Sequence, residues 1–436
     1  MIAYYLELGL RSLRSSRGLT VLMLLSIAMG VAACMTTLTV FHVLSGDPIP
    51  EKSARLFNVQ LDAQPLANRD DDEPELQLTR FDAEALLRDK RGVRQVMMTG
   101  ANTAIDPAAS GKADLRPYFA PARWTSSEFF PMFEVPFLYG NGWSAAEDEG
   151  KARVAVISKE ANDKLFDGAD SRGKTIRLRD KDFTIIGVLK DWRPAPHYFD
   201  TTLGSYSKPA DVYVPVQTSF ELKMGRSGNM NCWGNASGVD SLSLAAQCSW
   251  LQYWVQLDTP DQVKAYRDYL TQYSAQQKAA GRYEHEPNVR LRSVMDWLTF
   301  RQVVPSDVRL QVWLAFGFLI VCLTNAVGLL LAKCLRRSGE IGVRRALGAR
   351  QSSIFMQFLV EAGSLGLVGG LLGLVLTWIG LWVVRQNPSP YAALAQLDWQ
   401  MLGTTLGLSL LASLIAGLLP AWRACQVTPA LQLKVQ

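Results

Sequence analysis

The sequence predicts a membrane protein of four transmembrane helices, with one α/β domain inserted between the first helix and the other three. Three observations predict this. Apolar residues gather in four long runs, each reaching the roughly 20 residues that a helix needs to cross a bilayer core. The stretch 46–308 has the mixed polarity of soluble protein, with strand-like and helix-like segments in alternation. Basic residues crowd the ends of the runs on one side only, as oriented membrane proteins require.

Residues 1–18 carry Leu6, Leu10 and Leu13 at helical spacing, interleaved with Arg11, Arg14 and Arg17. They read as an amphipathic helix along the inner membrane surface, or as a plain extension of the first span. The first span is 19–45. Its apolar run, Leu19 to Leu44, has no charge before Asp47. A signal peptide has a shorter apolar core, so the run is read as a retained anchor.

The inserted stretch opens with Leu56 to Leu61, which alternates like a strand. Phe81 to Asp89 reads as a helix with Thr79 as its N-cap. Ala152 to Ile157 reads as a strand and Lys159 to Phe166 as a helix. Thr175 to Leu178 and Asp182 to Leu189 read as two strands around a turn at Arg179, Asp180 and Lys181. Residues 201–250 are rich in Gly, Ser and Asn and lack a period, so they read as an insertion. Leu251 to Leu257 is expected as a strand, Asp261 to Ala279 as a helix and Val289 to Arg292 as a strand.

The second span is 309–333. A basic loop, 334–353, leads to the third span at 354–384, whose only charge is Glu361. The short loop 385–399 carries only Arg385 and Asp398, and the fourth span is 400–422. Lys333, Arg336, Arg337, Arg344, Arg345 and Arg350 stand against Glu340 alone after the second span, and Arg423 and Lys434 follow the fourth. Both termini and the basic loop are therefore expected on the cytoplasmic side, and the inserted domain on the other. Outside 46–308 there are 13 Lys and Arg against 4 Asp and Glu; inside there are 32 against 36. Membrane orientation accounts for that asymmetry, and no nucleic-acid patch is present.

Of six cysteines, only Cys232 and Cys248 lie in the inserted domain. In an oxidising compartment such as the bacterial periplasm they can pair, or they are two unrelated buried thiols. Gly168 to Thr175 (GADSRGKT) satisfies the phosphate-loop pattern letter by letter. That pattern works when a strand delivers the loop and a helix follows. Here a helix precedes and a strand follows, so nucleotide binding is rejected. Glu284-His285-Glu286 has no second half for a metal site, and reads as exposed polar surface. His42 falls in a membrane run, and His197 stands without a partner motif.

Glu340-Ile341-Gly342-Val343-Arg344-Arg345-Ala346-Leu347-Gly348-Ala349 resembles the signature of FtsX-like and MacB-type ABC transporter permeases, E-I-G-x-x-(R/K)-A-(L/I)-G-A. Gln357 to Glu361, the glycine-rich third span, Pro420-Ala-Trp-Arg-Ala and Thr428-Pro-Ala are similar to that family, over 309–430. In the inserted domain Phe129-Phe130, Val135 to Gly142, Ala152 to Ser158, Gly173-Lys174 and Phe183 to Asp191 resemble the periplasmic core domain of MacB-type permeases; Asn141 departs from the usual arginine.

The resemblance implies a permease subunit in a bacterial inner membrane, not itself an enzyme. It implies dimerisation with a second copy or a sister permease, and a separate cytoplasmic ATPase that holds ATP and magnesium, with no cofactor on this chain. A periplasmic adaptor and an outer-membrane channel are further partners it implies for efflux systems. Closure of the dimer would move the outer domains and export or extract a periplasmic substrate; the alternative is a membrane-anchored sensor or activator of a partner such as a cell-wall hydrolase. Glu340, Ile341, Gly342, Arg344, Arg345, Ala346, Leu347, Gly348 and Ala349 would couple to the ATPase. Glu340 would favour the first turn of that helix, and Gly342, Ala346, Gly348 and Ala349 would let it sit closely in a groove. Gly366 with Gly370, Gly369 with Gly373, and Gly403 with Gly407 are four apart, a spacing that permits close helix approach. Asn325 is expected to make an interhelical hydrogen bond, and Glu361 to pair with an arginine or the ATPase.

Overall fold

A computed structural model describes residues 17–68, 72–112, 114–233, 240–386, 394 and 399–425. The expected surface helix over 1–18, most of the loop 385–399 and nearly all of the tail 423–436 lie outside the described residues. The chain divides into two units. One comprises Met1–Ser45 with Val304–Gln436, and the other is Gly46–Val303.

The membrane unit holds four long helices: the first span Arg17–Ser45, the second Ser306–Arg336, the third Gln351–Gln386 and the fourth Trp399–Cys425. The shortest has 27 residues. At 1.5 Å per residue that is about 40 Å, longer than the roughly 30 Å hydrocarbon core. The helix ends therefore extend past the apolar runs that predict them. The third span packs between the first and the fourth, and the second runs along the first. Met23, Ile27 and Val31 of the first span meet Leu319 and Ala326 of the second and Leu365 of the third in one core.

The third span uses its glycines on two sides. A Cβ on Gly366 or Gly370 would collide with Ser413 or Ser409 of the fourth span. A Cβ on Gly369 would come within 3.0 Å of Ile27, and one on Gly373 within 3.2 Å of Val31, both of the first span. The two rows thus let one helix approach two neighbours. Ser409 and Ser413 donate to Leu406 O and Leu410 O of their own helix, so their hydroxyls are satisfied inside the bundle. Gly403 and Gly407 meet nothing within 4 Å among the described residues of this chain.

Asn325 faces away from the bundle of its own chain. It is exposed on the outer face of the second span and makes no hydrogen bond among the described residues. The helix phase explains this: Leu319, Cys322, Ala326 and Leu330 take the inner face, leaving Val321, Thr324, Asn325 and Gly328 outside. Elsewhere on this helix, Cys322 O accepts an interhelical hydrogen bond from Ser26 Oγ at 2.9 Å.

Among its described residues the inserted domain has twelve strands: β1 Leu56–Leu61, β2 Leu78–Thr79, β3 Arg94–Asp106, β4 Tyr118–Thr125, β5 Phe137–Gly140, β6 Val154–Ile157, β7 Thr175–Leu178, β8 Lys181–Leu189, β9 Val212–Pro215, β10 Asn231–Cys232, β11 Cys248–Gln256 and β12 Val289–Ser293. The sheet order is β12-β1-β11-β3-β4-β9-β6-β8-β5, with β2 and β10 on β11 and β7 between β3 and β8. The β4–β9 and β6–β8 pairs are parallel, and the other pairs are antiparallel. Helices Arg80–Asp89, Lys159–Phe166 and Pro260–Ala279 accompany the sheet. Thr79 caps the first of these, its Oγ1 accepting from Asp82 N–H at 3.2 Å.

The stretch 201–250 is not a single added module. Within it β9 is fully buried, pairs with β4 in the register Ala122↔Val212 to Thr125↔Pro215, and pairs with β6 on its other side. Four residues are too few to show a period beside Gly- and Ser-rich neighbours, which hid a central strand. Cys232 and Cys248, directly opposite on β10 and β11, form a disulfide with a Cα–Cα distance of 4.1 Å.

Phe129 sits at the centre of an aromatic cluster with Phe130, Phe133, Trp192, Phe199 and Tyr213, at centroid distances of 5.1–6.0 Å. The Phe129-Phe130 motif is thus a packing feature. Beside it lies a buried ion pair, Arg123 Nη1 to Asp200 Oδ2 at 3.0 Å. His197, packed edge-on against Phe199 at 4.2 Å, is driven down to about 3 by burial and then by Arg123, so its ring is neutral.

Candidate functional site: the segment between the second and third spans

The second span ends at Arg336, and a short helix, Ser338–Ala346, follows with Arg337 as the joint. Its apolar residues fall on two sides. Ile341 and Gly342 are buried, and Ile341 packs with Cys334, Ile354, Phe358 and Ala421. Val343 and Leu347 are 55% and 83% exposed, and Ala346 is exposed beside them. The nine residues expected to couple to the ATPase therefore do not all lie on one side. Ile341 and Gly342 seat the helix against its own bundle, and Val343, Ala346 and Leu347 form the outward face.

Gly348 ends this helix. Its φ is +94°, which residues with a Cβ adopt only with strain. Gly348 N–H donates to Arg345 O at 3.1 Å and Ala349 N–H to Arg344 O at 3.0 Å. These two bonds are the paired closure of a Schellman motif, which satisfies carbonyls left open at a helix end. Gly348 is required by this turn, and the third span starts three residues later at Gln351.

The polar residues form a chain of alternating charge. Glu340, in the helix's first turn, accepts from Arg337 Nε at 3.2 Å and Arg344 Nη2 at 2.6 Å. Arg344 Nη1 also donates to Gln357 Oε1 at 3.3 Å on the third span. Arg337 Nη1 lies 3.9 Å from Glu361 Oε2, and Glu361 Oε1 is paired with Lys333 Nζ of the second span. Lys333 and Glu361 side chains are 4% and 1% exposed. Glu361 thus pairs first with a lysine that sequence reasoning counted only as an orientation charge, and second with an arginine. Arg345 is half-buried on the same helix.

The other sequence candidates lie apart from this segment. In the loop 168–175 helix Lys159–Phe166 precedes and β7 follows, as expected. Its main-chain N–H groups are engaged within the domain: Gly168 on Asn162 O, Ala169 on Phe166 O, Gly173 on Ile185 O and Lys174 on Ser171 O. Lys174 Nζ lies 4.9 Å over the Phe166 ring. Such a loop has no converging N–H cradle for phosphate. In the Glu284-His285-Glu286 triplet His285 is buried rather than exposed, which corrects its reading as surface, while both glutamates are exposed. Among the described residues no group of three His, Cys, Asp or Glu is placed to hold a metal ion.

Comparison with known proteins places both units. The MacB-like periplasmic core domain family matches residues 20–273. The FtsX-like permease C-terminal family matches residues 312–429. An ABC transporter permease of Bacillus subtilis, YvrN, is 25% identical over 69% of this chain and 67% of its own length. The macrolide export ATP-binding/permease protein MacB of Escherichia coli K12 is 24% identical over 85% of this chain and 52% of its own length. That of Mannheimia succiniciproducens is 24% identical over 69% and 41%. The chain thus spans about half the length of the MacB relatives it matches. Among solved structures, the periplasmic region of MacB from Actinobacillus actinomycetemcomitans matches with a TM-score of 0.37 at 12% identity, over 59% of this chain and 96% of that one. The extracellular domain of YknZ, a noncanonic ABC-type transporter from Gram-positive bacteria, matches with a TM-score of 0.33 at 14% identity, over 55% of this chain and 100% of that one. With four apolar spans and a periplasmic core domain inserted after the first, the chain belongs to the MacB/FtsX-like family of ABC transporter permeases of the inner membrane.

Proposed function

We propose that this chain is the permease subunit of a mechanotransmission ABC transporter whose ATPase is a separate cytoplasmic chain carrying the ATP and magnesium. The ATPase docks on the outward face of the short helix Ser338–Ala346, with Val343 and Leu347 as apolar anchors and Arg345 at their side. The observation that carries this is the two-sided helix: Val343 and Leu347 stand exposed while Ile341 is seated in its own bundle. Exposed large apolar side chains on a rigid, polar-rimmed helix mark a protein contact. The ionic chain from Arg344 through Glu340 and Arg337 to Glu361 supports a mechanical role, because it ties that helix to the third span. A push on the helix then shifts the second and third spans, and the periplasmic domain moves with them to export or extract a periplasmic substrate.

The basic residues around the short helix support its cytoplasmic location and that of both termini. A second copy or a sister permease completes the assembly. Gly317, Val321, Thr324 and Gly328 share the outer face of the second span at helical spacing, and Asn325 beside them gives a partner helix a polar group to meet. The test is capture of the tagged full chain from native membranes in mild detergent, with mass spectrometry of its partners. An ABC ATPase should co-purify, and Arg345→Glu with Leu347→Asp should cut its recovery at least tenfold while the chain still inserts. Undiminished recovery overturns the docking assignment. A wild-type sample without any ATPase favours the membrane-anchored sensor.

A further inference from the structure

The inserted domain holds a small cleft, about 180 Å³ in volume, that no part of the transport reading uses. It lies where the short helix Val216–Glu221 and the loop after it meet the first turn of helix Arg80–Asp89 and the stretch 240–243. Phe220, Met224 and Leu242 give it a half-buried apolar wall beside the rings of Trp124 and Trp250. The wall is held from within. Trp124 Nε1 donates to Gly225 O at 2.9 Å and Arg80 Nη1 to Leu242 O at 3.0 Å, and the disulfide Cys232–Cys248 closes the segment that carries Leu242. An apolar cavity of about 150 Å³ accepts one benzene ring, so this space suits a single ring.

Arg226 lines the cleft and is half-buried. Its Nη1 donates to Gly228 O at 3.1 Å and Asn229 O at 2.9 Å, which leaves the other edge of the guanidinium, Nε with Nη2. That edge makes no hydrogen bond among the described residues, and neither nitrogen is sealed from solvent. The same edge grips a carboxylate at two other places in this domain. Arg177 donates from Nε and Nη2 to Asp182 at 2.7 and 3.1 Å, and Arg172 from Nε and Nη2 to Asp170 at 3.0 and 2.7 Å. Arg226 has the fork without the carboxylate. Burial pushes its guanidinium down from its ordinary value, so a counter-ion there is favoured.

The neighbouring charges also favour an anion. Lys223 lines the cleft, is exposed and has no ion pair among the described residues, while Arg80 is paired with Glu84. Asp240 is the only carboxylate among the described residues of the wall; it is exposed and accepts from Leu242 N–H at 3.0 Å.

We propose that this cleft binds a small aromatic carboxylate. The carboxylate accepts from Nε and Nη2 of Arg226 as a fork. The ring lies against Phe220, Met224 and Leu242, and Lys223 adds a second positive charge. The site stands independently of the ATPase docking described above.

The experiment uses the full chain in detergent and 2-aminobenzoate as the fluorescent probe, with 2-aminobenzamide as the neutral control and empty micelles as the blank. Saturable binding of the acid is expected, with the amide at least tenfold weaker. Arg226→Gln, which keeps a donor for the loop carbonyls, should weaken the acid at least tenfold and leave the amide unchanged. Lys223→Glu, a reversal of charge at an exposed position, should weaken the acid at least threefold without touching the fork. Equal affinity for acid and amide overturns the proposal, as does the absence of saturable binding. So does wild-type affinity in a folded Arg226→Gln protein, or unaltered binding in Lys223→Glu.

Discussion

Arg123–Asp200 in the inserted domain and Lys333–Glu361 in the membrane unit are both buried ion pairs, but their surroundings differ. Asp200 also accepts from Thr202 N–H at 3.0 Å, Thr202 Oγ1 at 2.6 Å and Gln252 Nε2 at 3.1 Å, and Arg123 lies 4.9 Å over the Phe199 ring. That network closes on itself among parts of one sheet and its loop. Lys333–Glu361 joins two separate helices and continues through Arg337 to the short helix. The first arrangement suits a lock, because every neighbour holds the same geometry. The second suits a linkage, because displacement of one end is felt at the other.

The comparison breaks if the two pairs respond alike. Removing one member of a buried pair strands the other, at a cost of about 3–5 kcal/mol. Asp200→Ala should therefore lose most of that range in a denaturant titration followed by tryptophan fluorescence, and Arg123→Met with Asp200→Leu should recover much of it. Glu361→Ala should cost less, about 1–3 kcal/mol, because Lys333 near its helix end can extend its ammonium to the interface. Equal losses, each recovered by an apolar pair, would make Lys333–Glu361 a second lock and remove its transmitting role.

The sequence carried some of this and not the rest, for physical reasons. Long charge-free runs show the four spans. β7 and β8, with alternating burial and a turn between them, show too, and β1 shows by its alternation of apolar and polar side chains although it is buried throughout. β3 does not, because residues 95–101 are buried on both faces and its Gly100, Asn102 and Thr103 dilute any apolar run. The face of Asn325 was not legible, because a helix apolar all round gives no phase. The outward Leu347 sat inside a motif that could be matched, but the motif alone could not separate seated Ile341 from exposed Leu347. Lys333–Glu361 is 28 residues apart, and its only signal was two opposite charges at apolar run ends.

Asp148 sharpens the comparison by supplying a buried charge with no countercharge. Burial pushes it up from 3.8 to about 6, against the main-chain N–H groups of Ser127 and Gln217, which favour the anion. Between these values the folded chain holds the proton more tightly than the unfolded chain. Stability therefore falls as the pH rises from about 4 to about 6, and the loss is complete above that. The full shift corresponds to roughly 3 kcal/mol. Asp148→Asn should be more stable than wild type by about 2 kcal/mol at pH 7.5, and the gap should close near pH 4, in melts at matched ionic strength. A gap independent of pH would mean that Asp148 is ionised at little cost, unlike an unpaired buried charge.

The smallest effect concerns the end of the linkage. Gly339 and Gly348 flank the short helix's functional face, and a Cβ on either would meet nothing within 4 Å. They differ only in backbone: Gly339 lies in the helix, and Gly348 has φ +94°. Gly339→Ala should therefore be neutral or stabilising by up to about 1 kcal/mol, as alanine is in helices. Gly348→Ala should be destabilising by about 1–2 kcal/mol through left-handed strain. If Gly348 serves the turn, Gly348→Ala should lower the melting temperature of the isolated chain in detergent, before any partner is added. If it serves a close fit to a partner groove instead, the melt should be unchanged and only ATPase capture should fall. A lowered melt would place the requirement in the Schellman closure, which sets the direction in which the chain leaves the short helix for the third span.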